Sequence, residues 1–311
     1  MKREAVRLYI QGLTSYRVLA VLLEQRIGRP VSRKTLNAWV LELGEQAATP
    51  LEISTRLRPS WGGYLGVDGK RIRIRGEEHV VLVGVDHPTQ DLVHTLLLRA
   101  ESGRAMAQLV EEARREAGYP LRGIVADLGI HFKDAHALNF PGIPYQACRA
   151  HFDRRLDVDI PKKGGERAGL HAELKRRIRE VLYAASEAEA LERYYALTAD
   201  WGRYRGIGRY DPVLSLQRNF SLYTAHLRAE GLPPDNNVTE NVIKQLNKKL
   251  RLMEGFASLE NADRYVRLLA GCYRFKRFTD SCRGNGKAPL ELAGVDLSGR
   301  DWLTHLLGSR P

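Results

Sequence analysis

Three carboxylates sit where element edges would leave an oxygen ligand able to take a metal. Asp68 closes the apolar run in YLGVDGK, Asp127 closes another in RGIVADLG, and Glu240 opens the basic helix of NNVTENVIKQLNKKLR. Hard divalent cations such as Mg²⁺ take oxygen ligands and are usually held by a few carboxylates plus water and phosphate. One Asp from an early strand, one from a later strand and one Glu from a following helix would supply such a site. They lie far apart in the chain, so only a folded core could bring them together. Each also has an ordinary local reading. Asp68-Gly69 is a preferred pair for a two-residue type I′ turn. Asp127 could cap the next helix. Glu240, three residues after Asn237, fits a capping box.

The elements that would have to position these residues can be read from periodicity. GGYLGV, the alternating KRIRIRG, HVVLVGVD and DLVHTLLLRA read as strands. SGRAMAQLVEEARREAG has helical spacing, RGIVAD reads as a buried strand, IHFKDAHAL as a short helix and IPYQAC as a further strand. Antiparallel strands followed by alternating helices and strands predict an α/β chain with a mixed sheet, in the order of the ribonuclease H-like fold. In the helix that carries Glu240, the residues Glu240, Lys244, Asn247 and Arg251 share one face, and Val242, Leu246 and Leu250 form an apolar stripe on another. A carboxylate beside a row that tracks phosphates suits an enzyme that cuts nucleic acid strands.

Two further helical regions flank this core. The first fifty residues predict three helices, with Thr14 or Ser15 capping the second and Ser32 capping the third. In SRKTLNAWVLELG an apolar stripe of Leu36, Trp39, Val40 and Leu43 leaves Arg33, Lys34 and Asn37 outward. The unit resembles a helix-turn-helix, whose last helix would offer Arg33, Lys34, Thr35 and Asn37 to phosphates and base edges. An ordinary three-helix bundle is the alternative. Residues 45–60 lose periodicity and contain two prolines, which predicts a linker. Three helices are also expected between His151 and Pro233-Pro234, in a segment that the core does not need. There the cations Lys175, Arg176, Arg177 and Arg179 would touch a DNA backbone or solvate a helix face.

Composition narrows the partners. Lys and Arg outnumber Asp and Glu by 49 to 37 in 311 residues, a net charge of +12. Such a field attracts polyanions, and nucleic acid is favoured over lipid because no apolar run approaches the roughly 18 residues of a spanning helix. The amino terminus lacks the apolar core of a signal peptide. Three cysteines, Cys148, Cys272 and Cys282, have neither a disulfide framework nor four-ligand zinc spacing. A reducing cytosol is the expected location.

The string NNVTENVIKQLNKKLRLMEGFASLENADRYVRLLAGCYRFKRF resembles the C-terminal signature of DDE-type insertion-sequence transposases, particularly those related to the Mutator-like elements. The resemblance covers roughly residues 60–280. It implies a catalytic triad of Asp68, Asp127 and Glu240, with two Mg²⁺ ions (or Mn²⁺) as cofactor. The Cys-x-x-His pair of that group is matched by CRAH, which gives Cys148 and His151 a supporting place near the site. The helical segment is similar to the group's all-α insertion and places Trp201 near the scissile DNA; a Trp packed between helices is the plain alternative.

The implied organisation is a helix-turn-helix domain at 1–50, a linker at 51–60, a ribonuclease H-like catalytic domain at 61–160 and 232–278, an all-helical insertion at 161–231 and a tail at 279–311. The implied partners are double-stranded DNA, as terminal inverted repeats and target, and a second copy of the chain in a dimer or larger assembly. Lys244, Asn247, Lys248 and Arg251 would join Arg33, Lys34, Thr35, Asn37 and Trp201 in contacting that DNA, in the nucleoid of a prokaryotic cytoplasm. No membrane partner is expected. The rival readings are a transposase descendant that regulates by binding DNA, and another ribonuclease H-like nuclease such as a junction resolvase.

Overall fold

Local end signals set the first four helices of the computed structural model, which describes residues 1–12, 14–160, 167–208, 210–299 and 301–308, without the side chains of 130 and 131. These helices are α1 (Lys2–Gln11), α2 (Tyr16–Ile27), α3 (Arg33–Gln46) and α4 (Pro50–Leu57). Ser15 and Ser32 cap α2 and α3, as their sequence positions predict. The linker expected at 51–60 is helix over most of its length. Thr49 and Glu52 form a reciprocal capping box and Pro50 sits at the first helical position, so one of the two prolines taken as a breaker in fact starts a helix.

Three antiparallel strands follow, β1 (Tyr64–Ile74), β2 (Glu77–Asp86) and β3 (Leu92–Leu98), in the order β3-β2-β1. β1 is continuous through Asp68, where the sequence had divided into two runs. The two-residue hairpin turn falls at Arg75-Gly76, both with positive φ (51° and 82°), while Ile74 pairs with Glu77. Helix α5 (Gly103–Ala117) lies on one face of these strands. It approaches closely enough that a Cβ on Gly84 would stand 2.8 Å from Leu109 Cδ2.

The next elements are β4 (Gly123–Ala126), α6 (Ile130–Asn139), β5 (Tyr145–Ala147), α7 (Arg149–Asp159), α8 (Ala168–Leu182), α9 (Glu187–Ala199) and α10 (Pro212–Tyr223). β4 and β5 are parallel neighbours. The chain ends with α11 (Asn237–Leu250), α12 (Leu259–Phe275), α13 (Pro289–Leu292) and α14 (Trp302–Leu307). The chain is thus α/β, with strands of mixed direction and many helices. The expected insertion is helical in α8, α9 and α10; its first residues, 161–166, and the last of the tail, 309–311, lie outside the described residues. Among the described residues no helix is long and apolar enough to cross a membrane.

The chain divides into two compact units, Met1–Leu121 with Val238–Pro311, and Arg122–Asn237. In the first, α1, α2 and α3 share a core with the strands. Leu36, Val40 and Leu43 join Ile72, Val81, Val83 and Val85, the α11 stripe Val242, Leu246 and Leu250, and Leu268 and Leu269 of α12. The N-terminal helices thus fall in the same compact unit as β1, β2 and β3. In the second unit, α7, α8 and α10 pack against one another, and α10 also meets β5.

A buried polar network ties the first unit together. Asp91 accepts from Arg274 Nε (2.8 Å) and Nη2 (2.7 Å) and from Trp61 Nε1 (3.0 Å), and both ion-pair side chains are fully buried. Arg274 also reaches Pro50 O (2.6 Å) and Ser54 Oγ (2.9 Å) on α4. Nearby Asp86 accepts from the amides of Gly62, Gly63 and Thr89, from Thr89 Oγ1 (2.7 Å) and from Tyr119 OH (2.7 Å). Removing one member of a buried pair strands the other's charge at a cost of about 3–5 kcal/mol. Asp91→Asn should lower unfolding stability by about that amount in urea titration followed by circular dichroism. A loss of under about 1 kcal/mol would show that the pair does not hold the unit.

Candidate active site

The second unit assembles three of the residues singled out by sequence. Ala126 at the end of β4 pairs with Ala147 at the end of β5, so the next residues, Asp127 and Cys148, emerge side by side from parallel strand ends. Carboxyl ends of parallel strands are where open α/β sheets bind ligands. Cys148 donates its amide to Ala126 O (2.9 Å) and occupies the N-cap place of α7. His151 is then the third helical residue, the place from which a side chain turns back toward the cap. This is why a spacing of three serves: Cys148 Sγ, the His151 ring and an Asp127 oxygen all lie within 4.8 Å of one another. His151 Nδ1 is in contact with Asp127 Oδ1. The side chains of Asp127 and His151 are 44% and 32% exposed, which leaves the cluster open to a ligand.

The backbone around the cluster is held from several directions. Tyr145 OH donates to Asp127 O (2.6 Å), and the Asn236 amide donates to Cys148 Sγ (3.3 Å). Gln146, fully buried between them in sequence, donates to Tyr223 O (3.0 Å) and Pro234 O (3.3 Å) and accepts from the His226 amide (2.9 Å). Its Oε1 also lies 3.1 Å from His226 Nδ1. Burial, aided by the nearby Arg149 cation, pushes His226 down to about 4. Nothing in the sequence marks Gln146, His226 or Asn236, because each matters through a backbone contact many residues away.

Asp68 and Glu240 both belong to the first unit. Asp68 is half-buried in the middle of β1 opposite Val83, and its Oδ1 accepts the Gly69 amide (2.8 Å). Directly opposed residues of an antiparallel pair point to one face. Val83 belongs to the same core cluster as Val242, Leu246 and Leu250 of α11, so Asp68 lies on the sheet face that contributes to this cluster. Glu240 is half-buried in the first turn of that helix.

The ordinary readings of the three carboxylates can be compared with this geometry. The hairpin turn lies at Arg75-Gly76 rather than Asp68-Gly69. Gly129, not Asp127, stands in the N-cap place of α6. Since α11 starts at Asn237, the cap place is that of Asn236 and the box position is Thr239, one residue before Glu240.

The cationic residues divide more sharply than their sequence allows. On α11, Lys244 and Lys248 are exposed, as is Arg251 just beyond it; Asn247 is half-buried. Lys249, beside them in sequence, is buried instead. Its Nζ donates to Gly12 O (3.1 Å) and Thr14 O (2.7 Å) and lies 3.5 Å from the centre of the Tyr9 ring, while burial pushes it down to about 8. At the start of α3, Arg33, Lys34 and Thr35 are exposed, but Asn37 is half-buried and its Oδ1 accepts from Tyr265 OH (3.0 Å) and Tyr16 OH (3.3 Å). Trp201 is half-buried, with Nε1 donating to Asp211 Oδ2 (2.9 Å) and the Arg205 guanidinium over its ring. In α8, Lys175 and Arg179 meet Asp157, Arg179 meets Asp153, Arg176 meets Glu180 and Arg177 meets Asp200. That row is laced to acids rather than simply solvated.

The donor chemistry sorts the ligands. Asp68, Asp127 and Glu240 carry the oxygens that Mg²⁺ prefers, whereas a thiol and an imidazole suit softer ions. His151, in contact with Asp127 Oδ1, fits the part of orienting that carboxylate, and Cys148 lies beside the pair. No protein-family model matches the chain, and a search of curated proteins finds no match.

His226 gives the site's support a pH dependence. Its folded-state value of about 4 lies below the ordinary 6.5, so the unfolded chain binds more protons between these limits. Stability is therefore expected to be lost as pH falls from about 6.5 to 4. Protection factors for hydrogen exchange over residues 145–147, the observed rates referred to the intrinsic rates at each pH, should fall as pH is lowered across that window in the wild type. In His226→Asn the dependence should flatten, and an unchanged profile would exclude this histidine as its source.

Proposed function

We propose that the chain is a DDE-type DNA transposase with a ribonuclease H-like catalytic domain, cutting transposon ends and joining the resulting 3′-hydroxyl to target DNA. The observation that carries this reading is the meeting of Asp127 with Cys148 and His151. These three were selected by sequence for one site, and the parallel strand ends with the N-cap geometry of α7 give a physical reason for their spacing. The place of Asp68 on the sheet face whose core cluster also takes in the Glu240 helix supports it further.

In this reading Asp68, Asp127 and Glu240 ligate two Mg²⁺ or Mn²⁺ ions. When bound, such ions lower the pKa of water and stabilise a leaving oxygen in phosphodiester chemistry. His151 fixes one Asp127 oxygen so that the other is presented in a single orientation. Lys244, Lys248 and Arg251 pair with backbone phosphates along the approach. Water oxygen attacks phosphorus as the P–O3′ bond breaks and the strand leaves with a 3′-hydroxyl. That hydroxyl then attacks a target phosphodiester, so one P–O bond forms as another breaks. No covalent protein–DNA bond enters either step. Terminal inverted repeats and target DNA are the partners, and pairing of two ends calls for at least a dimer.

The test uses purified full-length protein, Mg²⁺ or Mn²⁺, and DNA carrying the element's terminal repeats. Nicking at the 3′ ends and strand transfer are expected. Asp68→Ala, Asp127→Ala and Glu240→Ala should each abolish chemistry while end binding persists. Cys148→Ser and His151→Ala should slow nicking by about 10–100-fold, the usual cost of losing a group that orients a ligand. Normal cleavage by any carboxylate variant would remove that residue from the site, and cleavage without strand transfer by the wild type would favour a resolvase-type nuclease.

A further inference from the structure

A cleft of the first unit, apart from the carboxylates, has the chemistry of a nucleotide site. It lies between the N-terminal helices and the segment joining α11 to α12, with a volume of about 710 Å³, within the roughly 300–1,000 Å³ of small-molecule sites. Its inner wall is aromatic. Phe256 and Tyr265 are buried with ring centres 5.5 Å apart, and Tyr16 is half-buried with Tyr9 stacked at 4.1 Å. Leu252, 46% exposed, adds an apolar lip.

Polar groups converge on the same space. Asn37 spends its Oδ1 on the hydroxyls of Tyr16 and Tyr265, so what it offers a ligand is its amide N–H₂. Asn261, in the first turn of α12, lines the cleft with a second carboxamide. Arg17, Arg33 and Lys34 are exposed at the rim, and among the described residues one acid, Glu254, lines the cleft with them. Aromatic faces with carboxamides and a cationic rim are the components that bind an unstacked base and its phosphates. A concave site cannot admit a stacked duplex, so the fitting occupant is a nucleotide drawn out of the helix or already single-stranded.

We propose that this cleft binds one unstacked nucleotide of a DNA strand, with the base against Tyr16, Phe256 and Tyr265, its edge on Asn37 and Asn261, and flanking phosphates on Arg17, Arg33 and Lys34. The choice of DNA as the polyanion rests on the transposase reading. The cleft would hold a strand beside the phosphate-tracking face of α11, which begins the chain segment leading into it. α3 would thus work partly through this cleft rather than wholly as a groove-reading helix.

The test measures binding of a fluorescein-labelled 16-nucleotide single strand to the full chain by anisotropy, with EDTA present so that no cleavage intervenes. Arg33→Glu/Lys34→Glu should weaken binding by about tenfold or more and reduce the slope of log affinity against log salt by about 1.4, the share of two phosphate contacts on a single strand. The same charge change at exposed Arg114→Glu/Arg115→Glu on α5 should alter affinity by less than about twofold, as expected for cations away from the path. A bromodeoxyuridine in the strand should cross-link to peptides covering residues 15–37 or 251–265, and Asn261→Ala should reduce that yield.

Equal losses in the two charge-reversal pairs, cross-links confined to other peptides, or equal binding of a duplex of the same length would each overturn the proposal. The outcome separates from that of the catalytic reading. Strand binding in the cleft without nicking of terminal repeats sinks only the transposase assignment, while normal nicking with unaffected strand binding in Arg33→Glu/Lys34→Glu sinks only the cleft.

Discussion

Arg274 and Asp91 are wholly buried, and elements of the first unit converge on them. The guanidinium on α12 reaches α4 through Pro50 and Ser54 and reaches the β2–β3 connection through Asp91, which also takes the Trp61 indole. Burying two charges is costly, and the arrangement is tolerable because the remaining donors and lone pairs are hydrogen-bonded. Asp86 extends the same solution to the start of β1 and to Tyr119 after α5. With those ends fixed, the register of β1 against β2 is fixed too, and the side on which Asp68 emerges follows from the pleat. A one-residue slip would turn Asp68 to the opposite face of the sheet.

The candidate site uses similarly local devices. Parallel pairing of β4 and β5 carries Asp127 and Cys148 to adjacent positions, and the N-terminal turn of α7 brings His151 back over them. The ring then restrains the carboxylate it touches. Gln146 holds the strand through its buried amide, and Cys148, two residues on, joins the cluster. The division of labour is physical: a buried amide fixes the backbone, and partly exposed side chains retain access to a ligand.

Much of the fold was legible because its signals are local. Ser15 and Ser32 cap the helices they precede, and the apolar runs HVVLVGVD and DLVHTLLLRA located β2 and β3. Asp68-Gly69 misled because the favoured turn dipeptide lies inside one strand, while the turn uses Arg75-Gly76, where an arginine adopts positive φ. Pro50 reads as a breaker until its place after Thr49 is known. Lys249 could not be told from Lys248 by spacing, since its burial depends on carbonyls of Gly12 and Thr14 more than two hundred residues earlier. Asn37 likewise looks outward on its helix and is claimed by a tyrosine of α12. For the site, the C-x-x-H spacing was readable, but the contact of His151 with Asp127 follows from strand pairing that sequence alone does not fix.

The proposed transposase function requires that Asp127, with His151 beside it, share bound metal with Asp68 and Glu240. Iron-directed self-cleavage tests it most directly. Fe²⁺ loaded in place of Mg²⁺, then treated with ascorbate and peroxide, cuts polypeptide next to the ion, and Mg²⁺ in excess should protect. The account expects Mg²⁺-protected cuts clustered near residues 68, 127 and 240 of the same protein, all weakened together by Asp127→Ala. Cuts near 127 alone, or none that Mg²⁺ suppresses, would contradict it.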